Sequence, residues 1–286
     1  MQYSSKRAVK SAIIYIVMII LTIIAVVPIW IMLINATRST EEINAGLALV
    51  PTNHAWQQTV YNLHTLTSRG FKIWRGFLNS AIISFSTTIL CVYFSTLTAY
   101  GIYVYHFKGK KLLWGLVMFL IMLPGTLSFI GFYQFMAKLG LTGDWKGFIP
   151  LTIPSISSAA TVMFIHQYME SILSLELVEA ARIDGAGEFF TFNRIVLPIM
   201  QPAMATQAIF AFVGSWNNFM TPSVIITNED YATLPMLVQK LRGDIYRTEF
   251  GGIYLGIAIS LIPIIIFYAI MSRYIIAGIT MGSVKE

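Results

Sequence analysis

Six stretches of this chain, approximately 11–34, 78–103, 112–134, 150–169, 199–226 and 252–272, run apolar without a single Asp, Glu, Lys or Arg. A helix needs about 20 such residues to cross a hydrocarbon core of roughly 30 Å. Inside lipid, backbone polar groups must find partners within the protein, and a helix satisfies them within its own segment. The expectation is an all-α integral membrane fold with six transmembrane helices. The fourth stretch is the least apolar, being rich in Ser and Thr and opening with Pro150 and Pro154.

Composition narrows the function classes. Apolar residues make up 56% of the chain and charged residues only 11%, against about 25% charged in soluble domains. Lys6, Arg7 and Lys10 precede the first stretch as they would in a signal peptide. Its apolar run is too long for that, and no small-x-small cleavage site follows cleanly, so it reads as an uncleaved first span. The net charge of +6 sits mostly in short loops beside apolar runs. That is flanking charge, not a nucleic-acid surface. The lone Cys91 excludes an internal disulfide and most metal sites. Charge-free spans argue against a proton- or sodium-coupled carrier and against a gated ion channel, both of which keep ionisable groups in the membrane.

Neutral polar residues in the spans either bond helices to one another or line a substrate pathway, for which the candidates are Asn79, Gln134, Trp216, Asn217 and Asn218. The Trp216-Asn217-Asn218 group equally suits a place at the membrane interface. An aromatic face beside amides suits a polyhydroxyl ligand, the ring packing on C–H groups while the amides bond hydroxyls. Pro28, Pro124, Pro154 and Pro263 lie in or near the interior of spans, and each frees a carbonyl and bends its helix.

Between the fourth and fifth stretches, residues 170–198 form a polar island, with Leu175 to Pro198 reading as helix, glycine break, helix. Good helix formers run to Ile183. Gly185 and Gly187 provide the turn. Asp184 is expected to cap the helix that follows. Phe189, Phe192 and Ile195/Val196 then recur at helical spacing before Pro198. A helical hairpin outside the membrane needs something soluble to dock on.

Glu179-Ala180-Ala181, Asp184-Gly185-Ala186, Phe192, Ile195, Leu197-Pro198 and Pro202 resemble the EAA loop of the permease subunits of ABC importers. Pro28-Ile-Trp-Ile-Met-Leu with Asn35-Ala-Thr-Arg-Ser, Phe77-Leu-Asn-Ser80, Thr98-Ala-Tyr-Gly101, Phe107-Lys-Gly-Lys110, Trp216-Asn-Asn-Phe219, Thr233-Leu-Pro235 and the tail Gly278–Lys285 are similar to the maltose-type carbohydrate permeases of that family. Glu286 ends the tail where a final Gly is common in the family.

The resemblance covers nearly the whole chain and implies a single permease domain, 1–286. It implies a multi-pass protein of a bacterial-type plasma (inner) membrane with both termini cytoplasmic. Its partners would be a second homologous permease, two cytoplasmic ABC ATPases and an extracytoplasmic solute-binding protein. The ATPase-coupling residues would be Glu179, Ala180, Ala181, Asp184, Gly185 and Ala186. No G-x-x-x-x-G-K-[ST] loop occurs in the chain. The chain is therefore expected to bind no cofactor, with ATP and Mg held by the partner ATPases, and to be no enzyme.

Basic residues set the orientation only weakly. Lys6, Arg7, Lys10, Lys108, Lys110, Lys111, Arg182, Arg194, Arg273 and Lys285 would face the cytoplasm; Arg38, Arg69, Lys72, Arg75, Lys138, Lys146, Lys240, Arg242 and Arg247 would face out. The coupling loop, which must meet an ATPase, decides it. A secondary sugar carrier, an ABC permease for a non-sugar solute and an assembly subunit of a membrane complex are the alternatives. The first and last would each leave one feature idle, the hairpin or the Trp216-Asn217-Asn218 group.

Overall fold

In the computed structural model, residues 2–68, 72–124, 129–243 and 249–282 are described, without the side chains of 2–9, 68, 242–243 and 276–282. Arg69, Arg247, Lys285 and the side chains of Lys6, Arg7 and Arg242 therefore lie outside the described residues, as does the tail Gly278–Lys285 apart from helical backbone to Gly282. The regular structure of this chain is helical. Among the described residues, pairing between extended segments is limited to an isolated bridge between Gly143 and Ile226.

The main helices are α1 (Gln2–Ala36), α2 (Ala55–Ser68), α3 (Ile73–Val104), α4 (Lys110–Met122), α5 (Phe129–Lys138), the helical run α6 (Trp145–Ile172), α7 (Leu175–Ile183), α8 (Glu188–Ile199), α9 (Gln201–Trp216), α10 (Leu234–Gly243) and α11 (Phe250–Gly282). Among the described residues, four stretches are long and apolar enough to cross a membrane: Lys10–Ala36, Ile73–Val104, Trp145–Ile172 and Phe250–Ile275. A fifth arises if α8 and α9, which meet at an 81° bend, form one broken span.

Two expected spans differ in detail. The expected third, 112–134, falls on α4 and α5, with 125–128 between them outside the described residues. The α4 helix stops because Leu123 is extended (φ −76, ψ 128), as the residue before a proline prefers. The expected fifth, 199–226, ends early, at Trp216. Asn217 is its C-cap, and the Asn218 side chain accepts the Thr221 backbone N–H at 3.2 Å to start a short new helix, Met220–Ile225. Asn competes for local backbone bonds in this way and so favours breaks.

The chain forms two compact units, 1–71 with 238–261, and 72–237 with 262–286. In the first, the end of α1 is fastened by polar groups. Buried Asn62 of α2 donates to the carbonyls of Ala36 (2.9 Å) and Arg38 (3.2 Å). Buried Arg38 donates to the Asn35 side chain (3.1 Å) and to the carbonyls of Gly46 (3.0 Å) and Glu42. Carbonyls at a helix end have no intrahelical partner, so this arrangement satisfies them.

In the second unit α3 is the central helix, packing against α6 and α9. Apolar contact is no driving force between helices in lipid, so its buried face is built for close packing and internal hydrogen bonding. Thr88, Thr96 and Thr98 return their hydroxyls to the carbonyls of Ser84, Val92 and Phe94 four residues back, at 2.7 to 2.8 Å. Phe212 stacks on Phe267 and on Trp216, Phe85 meets both phenylalanine rings at an angle, and Trp216 meets Phe77 edge-on at 5.5 Å. A second apolar cluster joins Ala99, Tyr100 and Ile102 of α3 to Ile165 and Met169 of α6 and to Val178, Phe192, Val196 and Met200.

Candidate functional site

The polar island forms a hairpin. Its first arm, α7, opens with Ser174, whose hydroxyl accepts the Glu176 N–H at 3.2 Å. It closes on Gly185 at φ +80. There the Gly185 N–H reaches the Arg182 carbonyl (3.0 Å) and the Ala186 N–H the Ala181 carbonyl (2.9 Å). This is a Schellman ending, with glycine at the left-handed position where other residues are strained.

Asp184 is the C-cap of this arm, and the next arm starts from an extended Gly187 without a side-chain cap. The expectation that Asp184 caps the following helix is therefore corrected. Asp184 is held in the turn's own geometry, three residues before the true N-cap.

The second arm, α8, carries a π-helical turn over Phe192–Val196, in which the Leu197 N–H bonds the Phe192 carbonyl. Pro198 follows at once, without an N–H and with a ring that crowds the turn before it. The widened turn relieves that crowding.

Val178, Ala181, Phe192 and Val196 point inward. Of the Glu179-Ala180-Ala181 trio, only Glu179 and Ala180 are exposed. Ile183 is 86% exposed and Phe189 69% exposed, with Phe190 exposed too. The exposed surface of the hairpin thus combines carboxylates (Glu176, Glu179 and Asp184), the methyl-sized Ala180 and several large apolar side chains. Glu188 joins the two arms. It accepts Arg182 Nε at 2.7 Å, and its other oxygen accepts the hydroxyls of Tyr105 and, at 3.4 Å, Tyr100. The Glu188 hydrogen bond raises Arg182 above its ordinary value. Burial, more than the nearby carboxylate, pushes the Tyr105 phenol up.

A cavity of about 520 Å³ opens among α3, α6 and α9. Thr87, Ser155, Ser158, Thr161, Gln207, Ser215 and Asn218 contribute its polar groups and Phe210 an aromatic ring; no charged side chain lines it. Thr161 donates to Gln207 Oε1 at 3.1 Å, which leaves the Gln207 amide N–H groups uncommitted among the described residues.

Of the expected pathway residues, only Asn218 lines this cavity. Asn79 donates to the carbonyls of Asp230 (3.1 Å) and Ala232 (3.0 Å), fastening the segment around them to α3. Near it Asp230 pairs with Lys72 and with Arg75 at 3.0 Å; the Lys72 hydrogen bond chiefly holds its carboxyl below the ordinary value. Trp216 is buried, its ring occupied by Phe212 and Phe77. Asn217 and Gln134 are exposed away from the cavity lining. The expected pathway leaves out the other lining residues, Gln207 and Phe210 among them, although residues 207, 210, 211, 214 and 218 recur at helical spacing on one face. No group of His, Cys, Asp and Glu able to hold a metal occurs among the described residues.

Residues 92–281 match the family of binding-protein-dependent transport system inner membrane components, and the chain belongs to that family. It is 34% identical to the arabinooligosaccharides transport system permease protein AraQ of Halalkalibacterium halodurans, covering 92% of each chain. It is 28% identical to the sn-glycerol-3-phosphate transport system permease protein UgpE of Escherichia coli, covering 88% of this chain and 89% of the relative. Its fold matches a bacterial ABC transporter involved in import of the acidic polysaccharide alginate, with a TM-score of 0.77 at 20% identity over 93% of this chain and 96% of that one. The chain is thus a multi-pass inner-membrane permease subunit with the all-helical ABC permease fold, a transport component and not an enzyme.

Proposed function

We propose that the chain is the carbohydrate-translocating permease of an ATP-driven importer, crossing the membrane six times with both termini in the cytoplasm. The observation that carries the substrate reading is the charge-free cavity lined by hydroxyls, two amides and one exposed ring. Such a lining can exchange hydrogen bonds with a neutral sugar while Phe210 covers its C–H face. Relatives named for arabinooligosaccharide transport support it. Substrate would pass between this subunit and a second, homologous permease, delivered by a solute-binding protein outside.

The hairpin at Leu175–Pro198 is the proposed coupling element, seated on one of two cytoplasmic ATPases that hold ATP and Mg. Glu179 offers the charged anchor and Ala180 the close approach. Gly185 fixes the angle between the arms. When ATP brings the ATPases together, the hairpin moves as a lever and the spans realign for alternating access.

The deciding experiment is ATPase activity of the purified complex in lipid, with native partners co-expressed and candidate sugar-loaded binding proteins added. One loaded binding protein should stimulate hydrolysis, and Gly185→Pro should remove the stimulation, because proline cannot adopt φ +80. Absence of any co-purifying ATPase would overturn the importer reading and favour a carrier.

A cavity test runs alongside. Gln207→Leu removes the uncommitted donor, and with it the Thr161 acceptor, at nearly constant size. It should lower sugar uptake about tenfold, in line with a lost buried hydrogen bond of about 1–2 kcal/mol, without loss of the assembled complex. Unchanged uptake would remove Gln207 from the pathway.

A further inference from the structure

The C-terminal half of α3 and its C-cap carry four tyrosines, Tyr93, Tyr100 and Tyr103 in the helix and Tyr105 at the cap, and every one of their hydroxyls reaches the hairpin segment. Tyr103 donates to the Leu173 carbonyl at 3.0 Å, immediately before α7 begins. Tyr105 and Tyr100 donate to Glu188, the first residue of α8. Tyr93 donates to the Asn193 side chain at 3.1 Å, inside the π-helical turn. The contacts therefore fall before the first arm, at the junction of the two arms, and within the second. Glu188 passes the hold to the first arm through Arg182, whose guanidinium also lies over the Tyr105 ring at 5.4 Å.

We infer that this tyrosine row makes α3 the direct recipient of the hairpin's motion, so that Tyr93, Tyr100, Tyr103, Tyr105 and Glu188 are positioning residues for energy coupling. The inference rests on the reading of Leu175–Pro198 as the coupling hairpin. It adds a second path to the covalent one through α9.

The covalent path is poorly shaped to transmit force alone. Between the first turn of the second arm and α9 lie the widened π turn, Pro198, and an 81° bend with Pro202 just beyond it. Each of these is a place where a helix gives. The contacts of Tyr100, Tyr103 and Tyr105 bypass all three, that of Tyr93 bypasses the proline and the bend, and all end on or beside α3, which lines the cavity with Thr87 and Cys91.

The Arg182–Glu188 pair alone would be a half-exposed surface ion pair of little worth. Its value comes from the phenols that share the carboxylate and fix its position. Hydrogen bonds to a charged acceptor are stronger than those between neutral groups. Ring burial sets the geometry before any load arrives. Tyr100 packs on Phe192, and Tyr93 meets the same ring edge-on at 5.8 Å.

The test replaces hydroxyls and leaves the rings. In the assembled complex in lipid vesicles, sugar taken up per ATP hydrolysed is measured for Tyr105→Phe, for Glu188→Gln and for the fourfold Tyr→Phe variant at 93, 100, 103 and 105. Tyr268→Phe, on an exposed face of α11, is the control. The single variants should lower the ratio about threefold and the fourfold variant about tenfold or more, while ATPase co-purification and the control stay as in the parent.

An unchanged ratio in the fourfold variant overturns the inference. So does a loss in which assembly, hydrolysis and uptake fall together, since that marks a structural role only. Failure of the hairpin reading itself has a different signature: ATPase binding that survives Ile183→Asp.

Discussion

Ile183→Asp is expected to strip the ATPase subunits from the complex while leaving the permease folded in the membrane. Ile183 is the last residue of α7 and is 86% exposed, so it contributes almost nothing to the chain's own packing. Surface changes away from structural features move stability by about 0.5 kcal/mol or less. In a docked hairpin the same side chain would be central, flanked by Phe189 and Phe190. A carboxylate buried there without a partner costs several kcal/mol, and central apolar anchors of an interface are worth about 2 kcal/mol or more. The expected loss of affinity is at least about thirtyfold. Co-purification of the ATPase with the tagged permease measures it, and the amount of permease in the membrane checks folding. Parental ATPase stoichiometry in Ile183→Asp would mean that this face is not the docking surface.

Glu179→Lys provides the charge counterpart. Glu179 is exposed and makes no hydrogen bond or ion pair among the described residues, so its carboxylate remains available to a partner. Reversal should uncouple transport without preventing insertion in the membrane, and normal transport in the variant would discard the anchoring role.

The physical signals that were legible in the sequence are local or periodic ones. Gly185 was legible because a break between two helical runs needs a residue tolerant of positive φ, and the Schellman bonds require one at that position. Asp184 misled because Asp near a break suits either side of it. Which helix it serves depends on where the next N-cap falls, and Gly187 takes that place.

Trp216 and Asn217 were read from their chemistry, whereas their helix face decided their placement. Trp216 lies four residues after Phe212, on the face that stacks in the core, whereas 207, 211, 214 and 218 face the cavity. That separation is present in the spacing. The tyrosine row was not legible, because its partners lie 70 to 100 residues away in sequence. Nor was the role of Asn79: an amide in a span pairs with carbonyls or lines a pathway with equal chemical ease. Only the return of Asp230 and Ala232 to its side distinguishes them.

Adjacent glycines at the start of α11 give a matched pair with opposite expected signs. A Cβ on Gly251 would sit 2.2 Å from the Arg38 carbonyl oxygen and 2.6 Å from the Asn62 side-chain nitrogen. Neither can retreat. The carbonyl is backbone, and the Asn62 amide is committed to Ala36 and Arg38 at the end of α1. Gly251→Ala must push α11 away or break those bonds, exposing the Arg38 cluster to unpaired burial. Overpacking alone costs about 1–3 kcal/mol, and losing a buried bond adds about 1–3 kcal/mol more. The expected result is a melting temperature of the purified complex lower by more than about 5 °C, or failure to accumulate. At Gly252 the added Cβ meets nothing nearer than 3.8 Å. There, inside a helix, Gly→Ala removes unfolded-chain entropy and should stabilise by about 0.4–1 kcal/mol. Equal melting of the two variants would mean that the close approach of α11 to Arg38 and Asn62 does not exist in the folded protein. A fall confined to Gly251→Ala would establish that this end of α1 is held by backbone contact and not by side-chain packing alone.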